Sequence, residues 1–217
     1  MKTCIIFGAA EGLPAQITKG DGDLIISADA GFRHLERLGV EPDLAVGDFD
    51  SLQFVPACRE VIRHPVIKND TDSILAVKVG WERGYRRFLL YGCAGGRPDH
   101  VAANYQTLAY IAARGGVGLL CADAFTASVF HCATATFDEN AQGTLSLFSM
   151  GDRATVTAKG LFYPLDRGVL TCDFPLGQSN EFIGKTASVT VESGLVLAIW
   201  QGDPFVLLQY QPNFREK

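Results

Sequence analysis

The hydrophobic period of this chain changes once, near residue 123, and that change constrains its fold more than any other feature. Before it, short apolar runs alternate with helical stretches. Residues 4–8, 24–28, 44–46, 88–91 and 118–122 read as buried strands. Between them Phe32, Leu35 and Leu38 recur at helical spacing up to a stop at Gly39. Further helices are predicted over 72–83, ended by Gly84, and over 99–114, ended by Gly115-Gly116. Such alternation implies a mostly parallel sheet covered on both faces, a Rossmann-like α/β domain. After Asp123 the period becomes two. Segments 144–149, 154–158, 188–192, 195–200 and 205–210 alternate between Gly, Asp, Asn and Pro breaks, as in a small antiparallel β-sandwich or barrel. The expected organisation is an α/β domain over 1–123 and an antiparallel β domain over 124–217.

Composition narrows the function classes. A net charge of −5 and a longest basic cluster of only Arg63-His64 or Arg86-Arg87 argue against a nucleic-acid partner. The six cysteines are scattered, without a Cys-x-x-Cys pair, and several sit in apolar runs, as buried free thiols do in a reducing compartment. The four histidines show no metal-ligand spacing. The apolar stretch after Met1-Lys2-Thr3 stops at Ala10 before Glu11, too short for a signal peptide. No run approaches the roughly 18 apolar residues that a membrane span needs. A cytoplasmic protein with no membrane partner is expected.

The chemistry is written in where the acidic residues fall. Asp29 follows the strand at 24–28, and Asp48 and Asp50 follow the strand at 44–46. Asp70 and Asp72 precede a helix, while Arg97 and Asp99 follow the strand at 88–91. Each taken singly reads as a cap or turn residue. Together they put four acidic loops on the carboxyl edge of an α/β sheet, where such sheets bind ligands. Clustered carboxylates imply a cation, and oxygen-only donors suit Mg²⁺, which commonly arrives with a polyphosphate. Gly92, Gly95 and Gly96 ahead of Arg97 allow the backbone to approach an anion, and the guanidinium can fork onto phosphate oxygens. Other motifs fail. Gly184-Lys185-Thr186 lacks the P-loop glycine, since Ser179 stands in its place. Gly8-Ala9-Ala10-Glu11-Gly12 is not a dinucleotide fingerprint, and His34-Leu35-Glu36 lacks the Pro-Cys-x-x-Cys of a deaminase.

In order along the chain stand Ala28-Asp29-Ala30-Gly31, Gly47-Asp48-Phe49-Asp50-Ser51, Lys68-Asn69-Asp70-Thr71-Asp72, Gly95-Gly96-Arg97-Pro98-Asp99-His100 with Asn104, and Ser179-Asn180-Glu181-Phe182. This series resembles the thiamin pyrophosphokinase family. The resemblance implies an ATP-binding α/β domain followed by a thiamin-binding β-sandwich, working as a homodimer with sites at its interface. It implies that Asp29, Asp48, Asp50 and Asp72 hold Mg²⁺ and the phosphates. Lys68, Asp70, Arg97, Asp99, His100 and Asn104 would frame ATP, and Ser179, Asn180 and Phe182 would meet thiamin. Bacterial members read Lys-Asp-x-Thr-Asp where this chain has Asn69, so either Asn69 hydrogen-bonds in that place or Asp70 takes over.

On this reading thiamin's alcohol attacks the β-phosphorus of ATP and AMP leaves, with Asp72 or Asp99 accepting the proton late. Phe182, Tyr163 and Trp200 are candidates for stacking on thiamin, with core packing the alternative for Trp200. Two other readings stand beside it. Asp48-Phe49-Asp50-Ser51 looks like the nucleophile motif of haloacid-dehalogenase-type phosphatases, although that family carries it on the first strand and has Thr or Val where Leu52 stands. A non-catalytic nucleotide or thiamin sensor is the other.

Overall fold

The computed structural model describes residues 2–14, 16–63, 70–202 and 204–212. They pack as two units, Met1–Ile111 with Gly118–Asp123, and Ala112–Val117 with Ala124–Lys217.

The first unit carries strands β1 (Thr3–Phe7), β2 (Leu24–Ala28), β3 (Leu44–Gly47), β4 (Val61–Arg63), β5 (Arg87–Tyr91) and β6 (Val117–Cys121), in the order β6-β5-β1-β2-β3-β4. β1 pairs in parallel with both β2 and β5, and β3 in parallel with both β2 and β4. Every residue of β1, β2 and β3 is buried, so both faces of these strands are covered, in keeping with their largely apolar sequences. The helices are α1 (Phe32–Leu38), α2 (Asp72–Glu82) and α3 (Pro98–Ala113). Gly39 ends α1 in the left-handed conformation at φ 65°, and the Thr71 hydroxyl caps α2 by accepting from Ile74 N.

The chain runs outward from β1 through β2 and β3 to β4, then returns to place β5 on the other side of β1. The strand order therefore reverses at β1, and the carboxyl ends of β1 and β5 flank the crevice that results. Two glycines let the backbones meet there. A Cβ on Gly8 would lie 2.6 Å from the Gly92 carbonyl oxygen, and a Cβ on Gly92, whose φ is +60°, would overlap the Gly8 carbonyl.

The second unit consists of β7 (Phe125–His131), β8 (Ala133–Phe137), β9 (Thr144–Ser149), β10 (Arg153–Lys159), β11 (Leu165–Thr171), β12 (Gly177–Glu181), β13 (Ala187–Ser193), β14 (Leu195–Gln201) and β15 (Leu207–Pro212). They pair antiparallel in the orders β12-β9-β14-β7 and β11-β10-β13-β8-β15. Burial alternates along β8 and β13, so each buries one face. The core here includes Phe130, Phe137 and Trp200, with Phe137 and Trp200 edge-to-face at 5.3 Å. Residues 204–206 form a 3₁₀ turn that takes in the first two residues of the strand expected over 205–210, and β15 starts after it. Among the described residues no helix is long and apolar enough to cross a membrane.

Candidate active site

Because β1, β2, β3 and β5 run parallel, the residues after them share one edge of the sheet. Asp29 follows β2 at φ 45°, an unusual conformation for a non-glycine residue, and opens a 3₁₀ turn to Gly31. The turn fits because Gly31 lacks a side chain; a Cβ there would overlap the Phe7 carbonyl oxygen. At the end of the neighbouring β3, a Cβ on Gly47 would lie 3.1 Å from Asp29 Cα, so the Asp29 and Asp48 loops are in contact. Between Asp48 and Asp50, Phe49 is 3% exposed and packs with Phe32, Ala45 and Leu52. This buried ring anchors the turn, and Asp50 N donates to Asp48 Oδ1 at 3.1 Å. The sequence Asp-Phe-Asp thus fixes two carboxylates by burying what lies between them.

Asp72 stands in the first turn of α2 beside the capping Thr71. Asp70, two residues earlier, grips Lys78 through both carboxylate oxygens, at 2.8 and 2.7 Å. In the loop from β5 to α3, Gly95 and Gly96 take φ of 99° and 71° with nothing within 4 Å of a would-be side chain. Arg97 and Asp99 form a two-point ion pair there, Nε to Oδ1 at 3.1 Å and an η nitrogen to Oδ2 at 2.6 Å. The Asp99 hydrogen bond raises Arg97 above its ordinary pKa, and the Arg97 guanidinium holds Asp99 below the usual carboxylate range. Asn104 is buried and donates from Nδ2 to the Cys93 carbonyl at 2.7 Å. Burial pushes the Cys93 thiol up to about 11, so it is a wall of the site and not a nucleophile.

Three clefts open on this edge. The first, about 300 Å³, is lined by Gly8, Asp29, Thr71, Asp72, His100 and Asn104 among others. The second, about 280 Å³, shares Gly8, Ser73, His100 and Asn104 with it and adds Gly92, Cys93, Gly95, Gly96 and Arg97. The third, about 270 Å³, is lined by Asp48, Phe49, Asp50, Gln53, Phe54, Val55 and Arg63. Asp29 and Asp72 therefore meet in one cleft, and Asp48 and Asp50 in another. Among the described residues no group of three or more His, Cys, Asp or Glu is placed to hold a metal ion. The donor set still fits Mg²⁺, which binds through one or two carboxylates and completes its shell with water and substrate phosphates. Asp29 Oδ1 is buried without a hydrogen-bond partner, a polar atom that a cation or donor would satisfy.

The expected residues are thus only partly brought together. Lys68, like Asn69, lies outside the described residues. The carboxylate of Asp70 is occupied by Lys78. Sequence reasoning assigned no site role to Gly8, Thr71 or Ser73, which reach the clefts from the end of β1 and the start of α2. Nor did it give a role to Arg63, noted only within a short basic cluster, which lines the Asp48–Asp50 cleft from the end of β4. A glycine directly after the first apolar strand was the available signal for Gly8.

In the second unit, Asn180 is 6% exposed and its amide is held at both ends. Oδ1 accepts from Tyr163 N and Glu181 N, each at 2.9 Å, and Nδ2 donates to the Tyr163 carbonyl at 2.6 Å. Ser179, at φ 55°, is exposed and its N–H donates to Ser146 Oγ. Of the aromatic candidates, Trp200 is 1% exposed and belongs to the core, and Phe182 leans on Phe137 at 5.5 Å. Tyr163 is 61% exposed, beside an equally open Phe162 at 4.8 Å.

Two family models match this chain: the thiamin pyrophosphokinase catalytic domain over residues 19–116 and the thiamin pyrophosphokinase vitamin B1 binding domain over residues 134–196. The chain belongs to the thiamin pyrophosphokinase family. It is 27% identical over 218 residues to a thiamine pyrophosphokinase of Bacillus subtilis (strain 168), covering 94% of this chain and 100% of that one. A thiamin pyrophosphokinase family protein from Enterococcus faecalis superposes with a TM-score of 0.77 at 25% identity, over 94% of this chain and 100% of that one. The yeast thiamin pyrophosphokinase shares the fold at 14% identity, with a TM-score of 0.72 over 93% of this chain and 86% of that one. The thiamin pyrophosphokinase models match both halves of the chain. The Asp48–Ser51 likeness to dehalogenase-type phosphatases is confined to one turn, and that turn follows β3 and not the first strand.

Proposed function

We infer that this chain is a diphosphotransferase of the thiamin pyrophosphokinase family that moves the terminal diphosphate of ATP onto the hydroxyethyl oxygen of thiamin. The oxygen of thiamin forms a bond to the β-phosphorus, the bond from that phosphorus to the α-phosphate oxygen breaks, and AMP leaves. What carries the reading is the match of both family domains along one chain. We assign the first half, residues 1–123, to a Rossmann-like ATP domain and the second, residues 124–217, to a sandwich that receives thiamin.

Asp29, Asp48, Asp50 and Asp72 are the residues that would hold Mg²⁺, and the ion, when bound, neutralises phosphate charge. Their division between two clefts suits an ion that takes few carboxylates at a time. Gly95 and Gly96 leave the loop backbone open to a phosphate group, and Arg97 stands at its end with a planar fork of donors. Transfer through a loose transition state depends on alignment and on neutralising charge more than on a strong base. Asp99 is a poor proton acceptor while Arg97 holds its carboxyl down, which favours Asp72 for the late proton. In the second half, exposed Tyr163 offers a flat face to a cationic ring. We also take the protein to act in the cytoplasm as a homodimer.

An omission series tests the assignment. AMP and thiamin diphosphate should form when ATP, Mg²⁺ and thiamin are all present and not when any one is left out. Phosphate released from a small ester without ATP would point instead to a phosphatase, and ligand binding without turnover to a sensor.

A further inference from the structure

We propose that Asn104 is a positioning residue: its buried amide sets the loop that carries Arg97, and through that loop the grip on a nucleoside triphosphate. The proposal rests on ATP being the donor substrate. The loop from Gly92 to Arg97 has a fastened root and an open tip. At the root, Gly8 N donates to the Tyr91 carbonyl and Ala10 N to the Gly92 carbonyl, each at 2.8 Å. The Ser73 side chain hydrogen-bonds the Cys93 thiol from the start of α2. Asn104 adds a donor from α3, reaching back to the Cys93 carbonyl at 2.7 Å from a side chain only 6% exposed. Ala94 is still buried, and past it the loop opens until the Arg97 carbonyl accepts from His100 N and Val101 N, at 3.1 and 3.2 Å, at the start of α3. A Cβ added at Gly95 or Gly96 would meet nothing within 4 Å, and the Arg97 side chain is 70% exposed.

The course of the tip is therefore set by the Arg97 carbonyl at one end and by the root at Gly92 to Ala94 at the other. Of the contacts at the root, the Asn104 bond is the one that comes from α3, whose first turn lies directly beyond Arg97. It couples the loop to the helix on which Asp99 and His100 ride. A neutral amide suits the task, since an aspartate would set a carboxylate against the same carbonyl oxygen. An alanine would leave that carbonyl without its side-chain donor.

The test compares wild type, Asn104→Ala, Asn104→Asp, Arg97→Ala and the double variant Asn104→Ala/Arg97→Ala. ATP binding is measured by calorimetry, with the KM values for ATP and thiamin and amide hydrogen exchange over residues 93–97. Asn104→Ala should weaken ATP binding by about tenfold, the scale of one lost hydrogen bond. The thiamin KM should stay within about twofold, and exchange should quicken at 93–97. With Arg97 already removed, the further loss should vanish, as for two residues acting through one loop. Additive losses would overturn the proposal in favour of a direct contact between Asn104 and the nucleotide. Parallel losses for ATP and thiamin would overturn it in favour of general destabilisation. If Asn104→Ala fails to fold, Asn104→Asp decides on the same criteria. Wild type that binds no ATP would sink the functional reading, whereas wild type and variant binding it equally would sink only the role of Asn104.

Discussion

Asp48 and Asp50 owe their positions to Phe49, which is buried while Asp50 is exposed and Asp48 half-buried. Removing their charge should leave that anchor in place. Asp48→Asn and Asp50→Asn should each lower turnover by about 100-fold or more, the cost of losing one element of charge stabilisation at a phosphoryl group. Their melting temperatures should stay near wild type; near-normal turnover at saturating Mg²⁺ would remove these residues from the site. Arg97→Lys keeps the charge and loses the fork, so it should raise the KM for ATP more than that for thiamin. The pH dependence separates Asp99 from Asp72. A carboxyl held low by Arg97 remains charged through neutral and mildly acidic pH and is protonated only as pH falls through its depressed value. Asp99→Asn should therefore leave the acid midpoint of the pH–rate profile where it is, and a shifted midpoint would make Asp99 the base. At this scale the sequence was informative where local geometry depends on near neighbours, as in Asp48-Phe49-Asp50 or Gly95-Gly96-Arg97. It was silent on Arg63 and Ser73, which reach the clefts only through sheet pairing and helix placement. It also could not foresee that Lys78 would claim Asp70 or that Tyr163 would claim both ends of the Asn180 amide.

The elements of the first unit were legible because their burial follows sequence directly. β2 falls on its expected residues and α1, α2, β1 and β5 within one or two of theirs, since apolar runs bounded by glycine leave few alternatives. β4 went unread because it is three residues long and only partly buried. β7 and β8 were missed for a different reason. Cys132, at φ 44°, divides them, and they enter different sheets, so no single period spans both. β11 and β12 are largely exposed polar strands without the alternation that marks a buried face. Two glycines that sequence treats alike also separate at this scale. Gly39→Ala places a Cβ in open space at a left-handed C-cap and should cost about 1–2 kcal/mol in chemical denaturation. Gly31→Ala drives its Cβ into the Phe7 carbonyl and should prevent normal folding. Equal stability of the two variants would contradict the packing described at the end of β1.

At the scale of the whole molecule, the proposed homodimer joins phosphate chemistry from one half of the sequence to thiamin binding from the other. If one subunit supplies Asp72 and its partner the Asn180 segment to each site, two inactive variants should complement. Asp72→Asn and Asn180→Ala, unfolded together and refolded as a mixture, should regain roughly a quarter of wild-type activity, because about half the dimers are mixed and each carries one intact site. No recovery, with mixed dimers verified by differential tags, would put each site within a single chain. Beneath every such question lies the reaction, and phosphorus NMR of a mixture of ATP, Mg²⁺, thiamin and the protein tests it most directly. AMP and thiamin diphosphate should form in equal amounts, with the β- and γ-phosphorus of ATP both in the product. ADP appearing with a monophosphate ester, or orthophosphate released whether or not thiamin is present, would contradict it.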